Sequence, residues 1–197
     1  MPRCYSEPMQ TRQSAVGRQW LVSDRRNDAA LKRVLARLPR GSGLVFRHYH
    51  LGAGARRARW RELQAEAARY GHDAILSGSA REARRWGADG VYGPPALLAR
   101  GPALLRLVTV HSLRELAAAH RARADAVLLS PVFATQSHPG AKTLGPLRFR
   151  AIASHALVPV IALGGMNAKT ARRLGAARWA AIDGFCQAIR GHNCTDS

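Results

Sequence analysis

Residues 124–145 read ADAVLLSPVFATQSHPGAKTLG, and the two halves of this stretch have opposite physical characters. Ala126-Val127-Leu128-Leu129 is a short continuous apolar run, the pattern of a strand covered on both faces as in a parallel sheet. From Thr135 onward, hydroxyls, an amide, an imidazole and an ammonium (Thr135, Gln136, Ser137, His138, Lys142) surround Pro139-Gly140, so the strand must give way to a polar loop. That loop leaves the carboxyl end of the strand, where α/β sheets and α/β barrels bind their ligands.

Working outward, the same succession of short apolar run and Ala/Arg/Leu-rich segment fills the chain. Strands are predicted at Gln19–Asp24, Gly43–Leu51, Asp73–Ser77, Gly90–Tyr92, Leu104–His111, Ala124–Leu129, Pro159–Leu163 and Trp179–Asp183. Helices are predicted at Asn27–Leu38 (stopped by Pro39), Arg56–Tyr70, Ala80–Trp86, Ser112–Arg121, Leu147–His155 and from Asn167 through Leu174. In the long second helix, Trp60, Leu63, Ala67 and Tyr70 recur at helical spacing and form one buried stripe. Ser112 and Glu115 have capping-box spacing, and Asn167 is placed as an N-cap. Eight strand-helix alternations without a long insertion predict a single compact (β/α)8 TIM barrel over residues 19–190. Residues 1–18 are then a loose N-terminal extension and 191–197 a C-terminal tail. An open doubly wound sheet is the alternative, but no G-x-G-x-x-G follows the first strand.

Composition narrows the function classes. A chain of 197 residues that is 47% hydrophobic buries an ordinary core without disulfide or metal staples. Its net charge of +19 comes almost wholly from arginine, since lysine occurs only at Lys32, Lys142 and Lys169. The arginines are scattered over predicted helix faces and are not interleaved with stacking aromatics, which make up 6% of the chain. This describes a solvated surface giving weak, salt-sensitive polyanion binding rather than a specific nucleic-acid footprint. Attraction of small anions is expected. Cys4, Cys186 and Cys194 are odd in number and lack C-x-x-C spacing, which favours reduced thiols and a cytoplasmic location over a disulfide framework or a zinc site. No apolar run has the length of a membrane span, so no membrane partner is expected.

Several polar or glycine positions fall at predicted strand ends: Arg47, Ser77, Thr109, His111, the sixth-strand loop, and Asp183-Gly184. Gly164-Gly165 follows the seventh strand and opens a helix, where backbone N–H groups can cradle a phosphate; a tight turn needing small residues is the alternative.

In this order, GADGV (87–91), VTVHS (108–112), ADAVLLSPVFAT (124–135) and PVIALGGMN (159–167) resemble the thiamine phosphate synthase and thiazole tautomerase family, over nearly all of residues 19–185. The resemblance implies a barrel that joins hydroxymethylpyrimidine diphosphate to a thiazole phosphate, releasing pyrophosphate with magnesium's help. It places Arg47 at the diphosphate, Thr109 near the pyrimidine, Thr135 and Ser137 as paired hydroxyls, and Gly164 and Gly165 at the thiazole phosphate. Arg47, His138 and Lys142 form the expected catalytic clamp on the leaving diphosphate. Ser77, His111, Asp183 and Gly184 complete the candidate substrate contacts. The family pattern also has Gln and Lys where Val45 and Tyr49 stand, Asn-Asp where Ser77-Gly78 stand, and His-x-Gly-x-x-Asp where Tyr92 and a Gly93-Pro94-Pro95 turn stand. Both expected magnesium carboxylates are therefore missing, and no metal ligands are assigned. Asp183 replaces a serine beside the phosphate and needs a proton or a cationic partner there. The tautomerase histidine is Pro131 here. Two readings stay open: a synthase-like transferase, or a degenerate paralogue that binds a thiamine precursor or another anionic heterocycle without catalysis. The partner is a phosphorylated small molecule, and a homo-oligomer is compatible with either reading.

Overall fold

The computed structural model describes residues 16–136, 140 and 142–185. Eight parallel strands close into a barrel in sequence order. They are β1 (Gln19–Val22), β2 (Gly43–Phe46), β3 (Asp73–Ser77), β4 (Gly90–Gly93), β5 (Leu105–Val110), β6 (Ala126–Leu129), β7 (Val160–Ala162) and β8 (Trp179–Ala181). The intervening helices are α1 (Leu31–Leu35), α2 (Ala53–Arg69), α3 (Ala80–Arg85), α4 (Pro95–Leu98), α5 (Leu113–Arg121), α6 (Gly145–Ala153) and α7 (Ala168–Leu174). A 3-10 turn at Asp28–Ala30 precedes α1, so the helix expected over 27–38 is broken and much shorter. The open doubly wound alternative is excluded because β8 pairs with β1.

The apolar runs separate into two layers because strand side chains alternate between faces. Val45, Ile75, Leu107, Ala126, Leu128, Ile161 and Ile182 belong to the barrel interior. Leu44, Phe46, Leu76, Val108, Val127 and Leu129 pack outward under the helices. Trp20 fills the interior beside Gly43, its register partner on β2. A Cβ on Gly43 would sit 2.1 Å from the Trp20 ring, so only glycine leaves room for the indole. The indole N–H donates to the Gly17 carbonyl at 2.8 Å. Val16 is also buried in this cluster, and its carbonyl accepts from Arg178 Nε at 3.2 Å. Residues 16–18 of the expected loose extension are thus docked, whereas 1–15 and 191–197 lie outside the described residues.

Local signals met three corrections. Tyr70 is the C-cap of α2 rather than part of its stripe, which consists of Trp60, Leu63 and Ala67. Ser112 accepts from the Glu115 N–H, but the Glu115 carboxylate accepts from the His111 N–H, so the capping box is only half formed. Pro94-Pro95, expected as a turn, opens the short helix α4, where proline's missing N–H costs nothing. The box at Asn167 is complete, with Thr170 as the reciprocal partner. No described helix is long and apolar enough to cross a membrane.

Candidate active site

A cavity of about 700 Å³ opens at the carboxyl ends of the strands. Its lining brings together Arg47, Ser77, Thr109, His111, Thr135, Gly164, Gly165, Asp183 and Gly184, residues far apart in the chain. Lys142 is exposed and does not line it. Ser137 and His138 lie outside the described residues, so the cationic clamp is represented in the cavity by Arg47. The cysteines likewise fall outside the described residues.

Each wall follows from how its strand ends. At β7, Gly164 and Gly165 have φ of 97° and 62°, values that L side chains rarely adopt. A Cβ at Gly164 would lie 2.7 Å from Pro131 Cα, and one at Gly165 would lie 2.6 Å from the Ala134 carbonyl oxygen. The β6 loop rests directly on this turn through Val132 N–H to Leu163 O and Phe133 N–H to Gly164 O. The glycines therefore serve close packing as well as leaving a bare backbone wall on the cavity.

At β8, Asp183 pairs with Arg26 at 3.2 Å, and Arg26 also pairs with Asp24 at 2.9 Å. Burial opposes ionisation of Asp24, but hydrogen bonds and charge from Arg26 outweigh it and hold the carboxyl below its usual range. The cationic partner that Asp183 requires is therefore Arg26, just past β1. Sequence reasoning missed this arginine because nothing local links it to β8. Asn27 makes the corresponding neutral tie, donating to the carbonyls of Val22 at 3.0 Å and Ile182 at 2.8 Å.

At β5, the His111 ring is fixed by a 2.7 Å contact from Nδ1 to the Ser130 carbonyl. A carbonyl can only accept, so Nδ1 carries a proton and a neutral imidazole keeps its lone pair on Nε2. His111 can therefore act as an acceptor or base toward a ligand.

The β2–β4 wall is aromatic and hydroxylic. Tyr49, Ser77, Tyr92, Pro94 and Leu97 line it, and the Tyr49 hydroxyl bonds to Ser77 Oγ. Burial pushes the Tyr92 phenol up to about 12, so it is neutral. The Arg47 guanidinium stands over the Tyr49 ring, 5.5 Å from its centroid. The aromatic contribution was not legible in the sequence, where Tyr49 and Tyr92 register only as departures from a family pattern.

The magnesium that the family resemblance implies does not fit these residues. At the carboxyl ends of β3 and β4 stand Ser77-Gly78 and Tyr92-Gly93-Pro94, with no carboxylate. Asp183, the acidic residue in the lining, is engaged by Arg26. Among the described residues, no group of three His, Cys, Asp or Glu side chains could hold a metal ion.

The molecule is a (β/α)8 barrel with its cavity at the carboxyl rim and glycine turns beyond β7 and β8. The thiamine monophosphate synthase family model matches residues 20–185. The chain belongs to that family. It is 35% identical over 86 residues to a relative from Aquifex aeolicus, covering 41% of this chain and 46% of that one. It is 40% identical over 88 residues to the thiamine-phosphate synthase of Chloroflexus aurantiacus, covering 41% and 40%. In both cases the match spans less than half of the curated relative's length. The fold is shared with the thiamine phosphate pyrophosphorylase of Pyrococcus furiosus, at a TM-score of 0.72, 23% identity and 87% coverage of each chain.

Proposed function

We propose that this protein is a thiamine phosphate synthase-like transferase acting in thiamine biosynthesis in the cytoplasm, on phosphorylated small molecules. The observation that carries the reading is the placement of Arg47 and the Gly164-Gly165 turn in one cavity, with β1 and β8 between them. The turn and Gly184 would receive the thiazole phosphate on backbone N–H groups, and Arg47 would meet the diphosphate of the pyrimidine substrate. In the transfer, the carbon–oxygen bond to the diphosphate breaks and the thiazole nitrogen forms the new carbon–nitrogen bond. Pyrophosphate leaves with the electron pair. A guanidinium facing the departing oxygens stabilises the charge that develops there. Magnesium, where it takes part, would enter on the substrate oxygens and water rather than on protein carboxylates.

The β2–β4 wall favours a second reading. Tyr49 and Tyr92 stand at positions where the family pattern has a lysine and a histidine, which supports a non-catalytic binder of a phosphorylated heterocycle. Calorimetry with thiazole phosphate, followed by a coupling assay with and without magnesium, separates the two. Binding with turnover supports the transferase, binding without turnover supports the binder, and no heat rejects both.

Asp183→Ser sharpens this test. A phosphate about 4 Å from an unpaired carboxylate would be opposed by about 4 kcal/mol at an effective dielectric near 20. Arg26 offsets that charge in the wild type. With the carboxylate gone, Arg26 keeps its charge beside the phosphate, so thiazole phosphate should bind about tenfold more tightly. Unchanged affinity would place the phosphate elsewhere.

A further inference from the structure

Beneath the β2 wall runs a chain of polar side chains that the chemistry above does not use, buried at Ser23 and His48 and open to solvent at Asp28. Ser23 Oγ is 2.8 Å from His48 Nδ1, and His48 Nε2 is 2.8 Å from Asp28 Oδ1. Arg59 closes the far end, with Nε 2.9 Å from the same carboxylate oxygen and a second nitrogen donating to the Asp28 carbonyl. Serine, histidine and aspartate in this order suggest a nucleophile, but Ser23 is 0% exposed and does not line the cavity. The hydroxyl serves the backbone instead, accepting the Arg47 N–H at 2.8 Å.

The proton directions follow from the two ends. Burial works against the charge on Asp28, but hydrogen bonds from His48 and Arg59 outweigh it and keep the carboxyl below its usual range. An ionised carboxylate only accepts, so His48 Nε2 carries a proton. Burial lowers the His48 pKa, overriding the opposing effect of Asp28, so the ring is neutral and Nδ1 accepts. Ser23 must then donate to Nδ1, which leaves its lone pairs for the Arg47 N–H. Every member is satisfied in one orientation only, and such one-way chains polarise and stiffen one another.

The opposite side of the same residue is also held. Arg56 Nε donates to the Arg47 carbonyl at 3.0 Å, and a terminal nitrogen of Arg56 donates to the Ser77 carbonyl at 2.6 Å. His48 turns the chain immediately afterwards at φ 39°, its ring stacked on Phe46 at 4.7 Å. The backbone on both sides of Arg47 is thus fixed just beyond the strand, while its side chain reaches the cavity.

We infer that Ser23, His48 and Asp28, together with Arg56, are positioning residues that present the Arg47 guanidinium to the anionic part of a substrate. This rests on the reading that Arg47 meets a diphosphate. The test is calorimetry with inorganic pyrophosphate and, separately, thiazole phosphate, on the wild type, Arg47→Ala, Ser23→Ala, Ser23→Thr and His48→Asn. Asparagine tolerates the positive φ and keeps an acceptor for Ser23, but cuts the link to Asp28. Arg47→Ala should weaken pyrophosphate about a hundredfold. Ser23→Ala and His48→Asn should weaken it about tenfold, with thiazole phosphate affinity unchanged and Ser23→Thr restoring the loss. Equal weakening of both ligands would mean a merely structural network and overturn the inference, as would wild-type pyrophosphate affinity in Ser23→Ala and His48→Asn. If Ser23→Ala fails to fold, His48→Asn and Ser23→Thr decide the matter. Wild-type affinity in Arg47→Ala, or no pyrophosphate binding by the wild type, would remove the underlying role of Arg47 itself.

Discussion

Gly164→Ala is expected to lose thiazole phosphate binding by roughly 30-fold or more, because the methyl group meets two obstacles at once. At φ 97° an L residue is strained, at a cost of about 1–2 kcal/mol. The new Cβ would also lie 2.7 Å from Pro131 Cα and 3.0 Å from the Val132 nitrogen, which are backbone atoms that cannot swing aside. The turn must therefore pull away from the β6 loop, and its N–H groups leave the positions proposed for the phosphate. A displacement costing about 2 kcal/mol corresponds to the stated loss. Calorimetry on the folded variant checks it, and wild-type affinity would show that the turn serves packing alone.

Trp20→Ala should produce the largest loss of stability. The indole is fully buried in the barrel interior, and Gly43 opposite it cannot refill the space. Truncating a buried tryptophan costs about 3–5 kcal/mol. For a chain of this size that lowers Tm by roughly 6–20 °C, readable by circular dichroism. The adjoining carbonyl of Gly17 also loses its donor. A fall of only a degree or two would mean that the interior collapses onto the gap.

These two residues illustrate different kinds of legibility. Gly164 stands out in the sequence as half of a Gly-Gly pair beyond an apolar run. Trp20 reads only as an apolar residue in a strand, since its dependence on Gly43 is a relation between β1 and β2. The same division runs through the cavity. Arg47, Ser77, Thr109 and His111 could be picked out because polar residues at the ends of apolar runs break a local pattern. Arg26 could not be matched to Asp183, nor Ser23 to His48, because each pair joins segments distant along the chain. Strand β2 is shorter than its sequence suggests for a similar reason. His48 and Tyr49 continue an extended-looking pattern, but the bonds from Ser23 and Arg56 to the Arg47 backbone and the positive φ at His48 turn the chain after Phe46.

By itself the sequence determined the eight strands and six of the helices that alternate with them, the buried faces of α2 and of the strands, and the cap at Asn167. These depend on side-chain periodicity and on backbone groups a few residues apart, both of which are local. Tertiary structure alone decided that β8 closes onto β1, that Arg26 balances Asp183, and that Tyr49 and Tyr92 share one wall of the cavity. It also decided that a buried serine and histidine hold the backbone of the cavity's arginine. The physical reason is that barrel closure fixes which strand ends become neighbours around the rim. Those neighbours then fix which polar side chains pair, and neither property is encoded within any one segment.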